Sequence, residues 1–152
     1  MANIQQVRFR RKIDRAAMQE KLQEINVARF DGVFEITHFP EGFEVKLLDV
    51  VQFSVWFASP RTLSWKYHYK PVAWWAQSTI LARLIRALDP SARIKDEGDT
   101  EMAEPNFDQE YPTVERWIRS IEIALGVGKE ENDRLIALIR PATPTCFWEE
   151  RG

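Results

Sequence analysis

At 152 residues, 45% hydrophobic and 29% charged, the chain has the size and composition of one globular domain, which excludes an intrinsically disordered or collagen-like polypeptide. A formal net charge of −2 excludes the overall basic excess common in nucleic-acid-binding domains, and no apolar run approaches the roughly 18 residues of a membrane span. One cysteine, Cys146, excludes an intrachain disulfide and a zinc centre built from several thiolates.

Met1 to Lys12 carries charge with no apolar stretch behind it, so no signal peptide is expected and the chain reads as cytoplasmic. Gln5 to Arg11 alternates, with Val7 and Phe9 on one face and Arg8 and Arg10 on the other, the pattern of a half-buried strand. Asp14 is a suitable N-cap for a helix through Ile25, with Met18, Leu22 and Ile25 as its apolar stripe.

A β-rich stretch follows. Gly32 to Phe39 and Phe43 to Leu48 flank Pro40-Glu41-Gly42, a hairpin signal. Gln52 to Phe57 and Leu63 to Tyr69 flank Ser59-Pro60-Arg61-Thr62, a second one. In the last arm Leu63, Trp65, Tyr67 and Tyr69 share a face opposite Ser64, Lys66, His68 and Lys70. Proline and glycine fall at the turns, as sheet hydrogen bonding requires.

Pro71 opens a helix running to about Leu88, stopped by Asp89-Pro90, and its wide apolar surface predicts packing on two sides. Ala92 to Lys95 reads as a short strand, and the segment from there to Glu110 as a long loop. Thr113 caps a helix closed by Gly126, with Glu115 and Arg119 in the favourable i, i+4 order, and Lys129 to Arg140 forms another before Pro141. The irregular tail 141–152 carries Phe147 and Trp148, which predict that it packs on the body. With no repeat and no linker, residues 1–152 read as a single α+β domain. It has an antiparallel sheet of about five strands (two hairpins plus the N-terminal strand) packed against helices, with a C-terminal helical pair.

Charge is distributed unevenly. Arg8, Arg10, Arg11, Lys12 and Arg15 crowd the N-terminal end. Asp96, Glu97, Asp99, Glu101, Glu104, Asp108 and Glu110 form a stretch with no basic residue. Six Trp, nine Phe and three Tyr make the chain rich in the side chains that dominate cores and interfaces.

Signatures of catalysis and cofactor binding are missing: there is no glycine-rich phosphate loop, paired-histidine motif or nucleophile elbow, so no cofactor and no catalytic residue are expected. The two histidines are His38, which shares parity with Phe34 and Ile36, and His68, which shares parity with Lys66 and Lys70. An enzyme would have to place its site near His38 or use the acidic carboxylates. Asp96-Glu97-Gly98-Asp99-Thr100-Glu101 breaks the calcium-loop pattern at Gly98, so no metal is expected. A nucleic-acid module would use Arg8, Arg10 and the Trp65, Tyr67 and Tyr69 row, but the acidic stretch would repel a phosphate backbone. Association with a protein partner accounts for more of the pattern, with Asp96, Glu97, Asp99 and Glu101 steering the encounter and Trp74 anchoring it.

The stretch Ile80 to Asp99, in which ARLIRALDP ends a helix and SARIKDEGD follows, resembles the helix–turn–acidic-loop ending of some small bacterial polymorphic-toxin immunity proteins. The resemblance implies a cytosolic protein that blocks a cognate toxin by occupying its active site, with acidic residues mimicking or repelling the toxin's substrate.

Overall fold

The computed structural model describes residues 4–98, 100–101, 106–126 and 128–151. It contains β1 (Ile4–Arg8), α1 (Arg15–Phe30), β2 (Glu35–Phe39), β3 (Gly42–Leu47), β4 (Val51–Ser59), β5 (Thr62–Lys66), α2 (Pro71–Leu88), β6 (Ile94–Asp96), α3 (Phe107–Glu110), α4 (Val114–Leu125) and α5 (Lys129–Ile139). Two 3-10 turns, Arg140–Ala142 and Thr145–Phe147, follow.

The strands form one six-stranded antiparallel sheet in the order β2-β3-β4-β5-β1-β6. The two hairpins supply four neighbouring strands, and β1 docks beside β5 rather than beside its sequence neighbour β2. The α+β class is therefore as the sequence predicts, with one strand more. That strand, β6, is only three residues long and hydrogen-bonds to β1, 87 to 91 positions earlier by the register Gln5 with Asp96 and Val7 with Ile94. It overlaps the short strand expected at Ala92 to Lys95, lying slightly toward its C-terminal end, and is the strand added to the two hairpins and β1.

One face of the sheet is apolar. Val7, Phe43, Val45, Phe53, Val55, Leu63 and Trp65 join α1, α2, α4 and Phe147 in a single buried cluster. The opposite face carries exposed Gln6, Arg8, Lys46, Gln52, Ser54 and Lys66. Gly42 is required where β3 meets β4, because an added Cβ would lie 1.9 Å from the Val55 carbonyl oxygen.

Helix α1 begins where expected, with the Asp14 carboxylate accepting from the Ala17 N–H at 3.1 Å. It runs a full turn past Ile25 because Asn26, Arg29 and Phe30 are buried against the body. It stops at left-handed Asp31 and Gly32, with the Gly32 N–H bonded back to the Asn26 carbonyl at 2.8 Å. Helix α2 has buried residues all round its circumference, since the sheet lies on one side and α1, α3 and α4 on others. Helix α5 packs mainly on α4 and the turn after it. Arg119 binds Glu122 and Asp133, so its ion pairs tie α4 to α5 rather than running back to Glu115. In the C-terminal segment Cys146 and Phe147 are buried, and Phe147 packs on Phe30, Phe34 and Trp75. Among the described residues no helix is long and apolar enough to cross a membrane.

Candidate functional site, an aromatic groove where strand β5 ends

Leu63 to Tyr69 alternates as one strand in sequence, yet β5 stops at Lys66. Pro71 occupies the first turn of α2 and keeps Lys70 extended, so the chain must leave the sheet to enter the helix. Buried Gln77 of α2 takes over the lost sheet bonding. Its Nε2 donates to the Lys66 carbonyl at 2.9 Å and its Oε1 accepts from the His68 N–H at 3.3 Å. The His68 ring completes the closure through a hydrogen bond with the Gln52 carbonyl.

This departure lays Tyr67, His68 and Tyr69 beside β4 and opens a groove of about 450 Å³, whose walls include Trp56, Gln52, Ser54 and Lys66. Tyr69 is 70% exposed. Behind it runs a ladder of rings: Tyr69 to Tyr67 at 5.5 Å, Tyr67 to Trp74 at 5.3 Å and Trp74 to Trp117 at 5.3 Å. Trp117 continues the ladder to Phe107 and Tyr111. These separations and tilted or edge geometries are those of attractive ring pairs, so the outer rung rests on a rigid stack. The groove therefore offers an aromatic floor with hydroxyl, amide, ammonium and imidazole groups around it.

Trp74 is half-buried within this ladder, where its ring neighbours are Tyr67 and Trp117. The acidic residues are arranged differently from a continuous surface. The Asp96 carboxylate accepts from the N–H groups of Gly98 (2.9 Å) and Thr100 (2.8 Å), closing its own turn. Glu97 accepts from the Ile4 N–H at 3.2 Å, and Glu101 lies 3.7 Å from Arg93. Asp99 and Glu104 lie outside the described residues. Asp108 is buried and bound by Arg83 and Arg86. Through Gln5 and Trp65, the register of β6 on β1 and β5 places the Asp96 turn at the same end of the sheet as the aromatic groove.

The other sequence candidates separate. His38 is exposed on edge strand β2, opposite Phe43, and partial burial holds its imidazole below the usual range. It lines neither the aromatic groove nor the basic grooves at the opposite end. Arg8 lies on the open sheet face opposite Thr62, the face that also carries Gln52, Ser54 and Lys66 of the groove, whereas Arg10 turns toward α2 and pairs with Asp89, so the two arginines do not lie together on one surface with the aromatics. Trp65 is buried and donates its Nε1–H to Gln5 at 3.0 Å. Burial raises the Cys146 thiol above its ordinary range, which makes it a poor nucleophile. Among the described residues no group of three or more His, Cys, Asp or Glu side chains is placed to hold a metal ion.

Trp56 and Gln52 do not stand out as site residues in the sequence, and His68 is marked there only as one of two histidines. The signal that could have found them is the X-Pro step at Lys70-Pro71, which forces an aromatic strand end away from its ladder.

No protein-family model, curated protein or solved structure matches this chain.

Proposed function

We propose that the protein acts by stoichiometric association with a protein partner, as a small inhibitor of the immunity type, and that the aromatic groove at the end of β5 is the contact. The observation that carries this reading is Tyr69, an exposed ring held on the rigid Tyr67–Trp74–Trp117 stack. Interfaces concentrate their energy in such anchored aromatics, surrounded by polar groups that exclude water, and Gln52, Ser54, Lys66 and His68 supply that surround. The acidic turn at the same end of the sheet would steer a basic partner without contributing much contact energy. A toxin or enzyme with a basic active-site cleft fits this arrangement, in keeping with the resemblance of Ile80 to Asp99.

The test uses the full chain as bait in an extract of its native host, with Tyr69→Ala and Trp56→Ala as parallel baits. The expected result is one protein retained at equal stoichiometry by the parent chain and lost from both variants, with the recovered enzyme inhibited on re-addition. Equal retention by the variants would reject the groove, and turnover of a small molecule without stable partner capture would reject the binding role.

A further inference from the structure

At the far end of β1 from the acidic turn, the linker from Phe9 to Ile13 crosses between the β4–β5 turn and the C-terminal end of α2. It is pinned there by its backbone. The Phe9 N–H donates to the Arg61 carbonyl (2.8 Å), the Arg10 N–H to Asp89 (3.1 Å) and the Ile13 N–H to the Pro60 carbonyl (2.9 Å). Two grooves flank it, of about 650 and 540 Å³, and they share Lys12 and Ile13, so together they form one two-lobed channel.

The channel is cationic. Of the acids at its rim, Asp14 is engaged in capping α1 and Asp89 in binding Ser91 and Arg10. Arg11 and Lys12 are exposed and enter no ion pair among the described residues. Arg15 is preorganised: its guanidinium lies 4.1 Å over the Phe57 ring while its Nη1 donates to the Pro40 carbonyl at 2.7 Å. That geometry holds the planar fork still and leaves most of its N–H donors for a ligand.

We infer that this channel binds single-stranded nucleic acid, with Arg11 and Lys12 on successive phosphates and the Arg15 plane, backed by Phe57, beneath a base. The shape selects a linear polyanion, since the lobes lie on both sides of Lys12. It selects a flexible strand over a duplex, because the cations line a concave channel. A guanidinium plane is a stacking surface for a base, which an acidic peptide lacks. The negative net charge does not oppose this binding. Asp96 stands opposite Gln5, and about 17 Å of extended chain separates Gln5 from Arg10. That is roughly two screening lengths at physiological salt. This channel is independent of the aromatic groove, so either assignment can fail alone.

The experiment is fluorescence anisotropy of a labelled 15-nucleotide oligouridylate titrated with the full chain at several salt concentrations. Binding is expected to saturate below about 100 μM at low salt, with a log–log salt slope of about −1.4, as two neutralised phosphates on a single strand require. Arg11→Glu with Lys12→Glu should weaken binding at least about tenfold and flatten the slope, while the same charge change at Arg134 on α5 leaves both unchanged. Arg15→Lys, which keeps the charge and loses the plane, should weaken the oligonucleotide but not an abasic strand of equal length. No anisotropy change up to about 100 μM, or a double variant that binds like the parent, would overturn the proposal. Equal binding of a duplex, of polyglutamate or of anionic vesicles would also overturn it.

Discussion

Arg86 on α2 donates both terminal nitrogens to the carboxylate of Asp108 on α3, at 2.6 and 2.7 Å, in a two-pronged pair whose acid side chain is 1% exposed. Arg83, one turn earlier, approaches the same carboxylate at 3.0 Å. Asp108 is thus the joint that fixes α3, and with it Phe107 and the inner end of the aromatic ladder, onto α2. The pair raises the Arg86 guanidinium further above its ordinary range, mainly through the Asp108 hydrogen bond.

Neutralising that one carboxylate leaves the two guanidinium groups facing each other across an uncharged amide. Asp108→Asn is expected to cost about 3 kcal/mol, the low end for a broken buried pair because Arg86 retains access to water. Urea denaturation followed by Trp fluorescence measures it. A loss below about 0.5 kcal/mol would place the pair among the weak surface bridges instead.

Asp89 gives the fold a pH dependence. Its carboxyl is lowered from the ordinary 3.8 to about 2, first by the Ser91 hydroxyl and then by the Arg10 N–H. A depressed folded-state pKa contributes stability that is full above the unfolded value and is lost as pH falls through the folded one. The contribution should therefore fade between about pH 4 and pH 2. Asp89→Asn should remove that component, so that the melting temperature of the variant falls less than the parent's over this window. Parallel curves for the two proteins would show that Asp89 does not carry the dependence.

Gln77 joins fold to candidate site. It is 1% exposed and holds both the last carbonyl of β5 and the His68 N–H. Gln77→Leu fills the same space without either bond and strands two polar groups, an expected loss of about 2 kcal/mol. Partner capture should fall with it, whereas Gln77→Glu should keep the His68 bond at every pH and keep the bond to Lys66 only where its buried carboxyl is protonated and can donate. Hydrogen exchange at the His68 amide distinguishes the two variants.

What could be read from the chain follows the range of the interactions involved. Helices α2 and α4 carry their boundaries locally, in Pro71, Asp89-Pro90, Thr113 and Gly126, and both form where those signals place them. The acidic stretch misleads because Asp108 belongs to the core, and its partners lie 22 and 25 positions earlier on another helix. The end of β5 is hidden for a related reason. Tyr67 and Tyr69 keep strand parity, while the decision to leave the sheet is made by Pro71 and Gln77 downstream. The basic cluster around Arg11 is plain in sequence, but its channel exists only because the end of α2 forms one wall.

Arg29 makes the last connection testable. It is 1% exposed on α1 and donates to the carbonyls of Cys146 (2.8 Å) and Pro112 (2.6 Å), with its guanidinium 5.3 Å from the Trp75 ring centre. Desolvation lowers its pKa, and nearby Arg83 lowers it further. One buried cation on carbonyl oxygens thus ties the tail and the α3–α4 connection to α1. Arg29→Ala should cost about 2–3 kcal/mol, since it leaves two buried acceptors unpaired. It should also free the tail before the whole fold melts, and Cys146 reports that release directly. The thiol is 1% exposed, so it should resist a disulfide reagent in the parent protein and react at least about tenfold faster in the variant under native conditions. An unchanged labelling rate alongside lower global stability would mean that the tail unfolds only with the core, and that Arg29 supports packing rather than anchoring the tail.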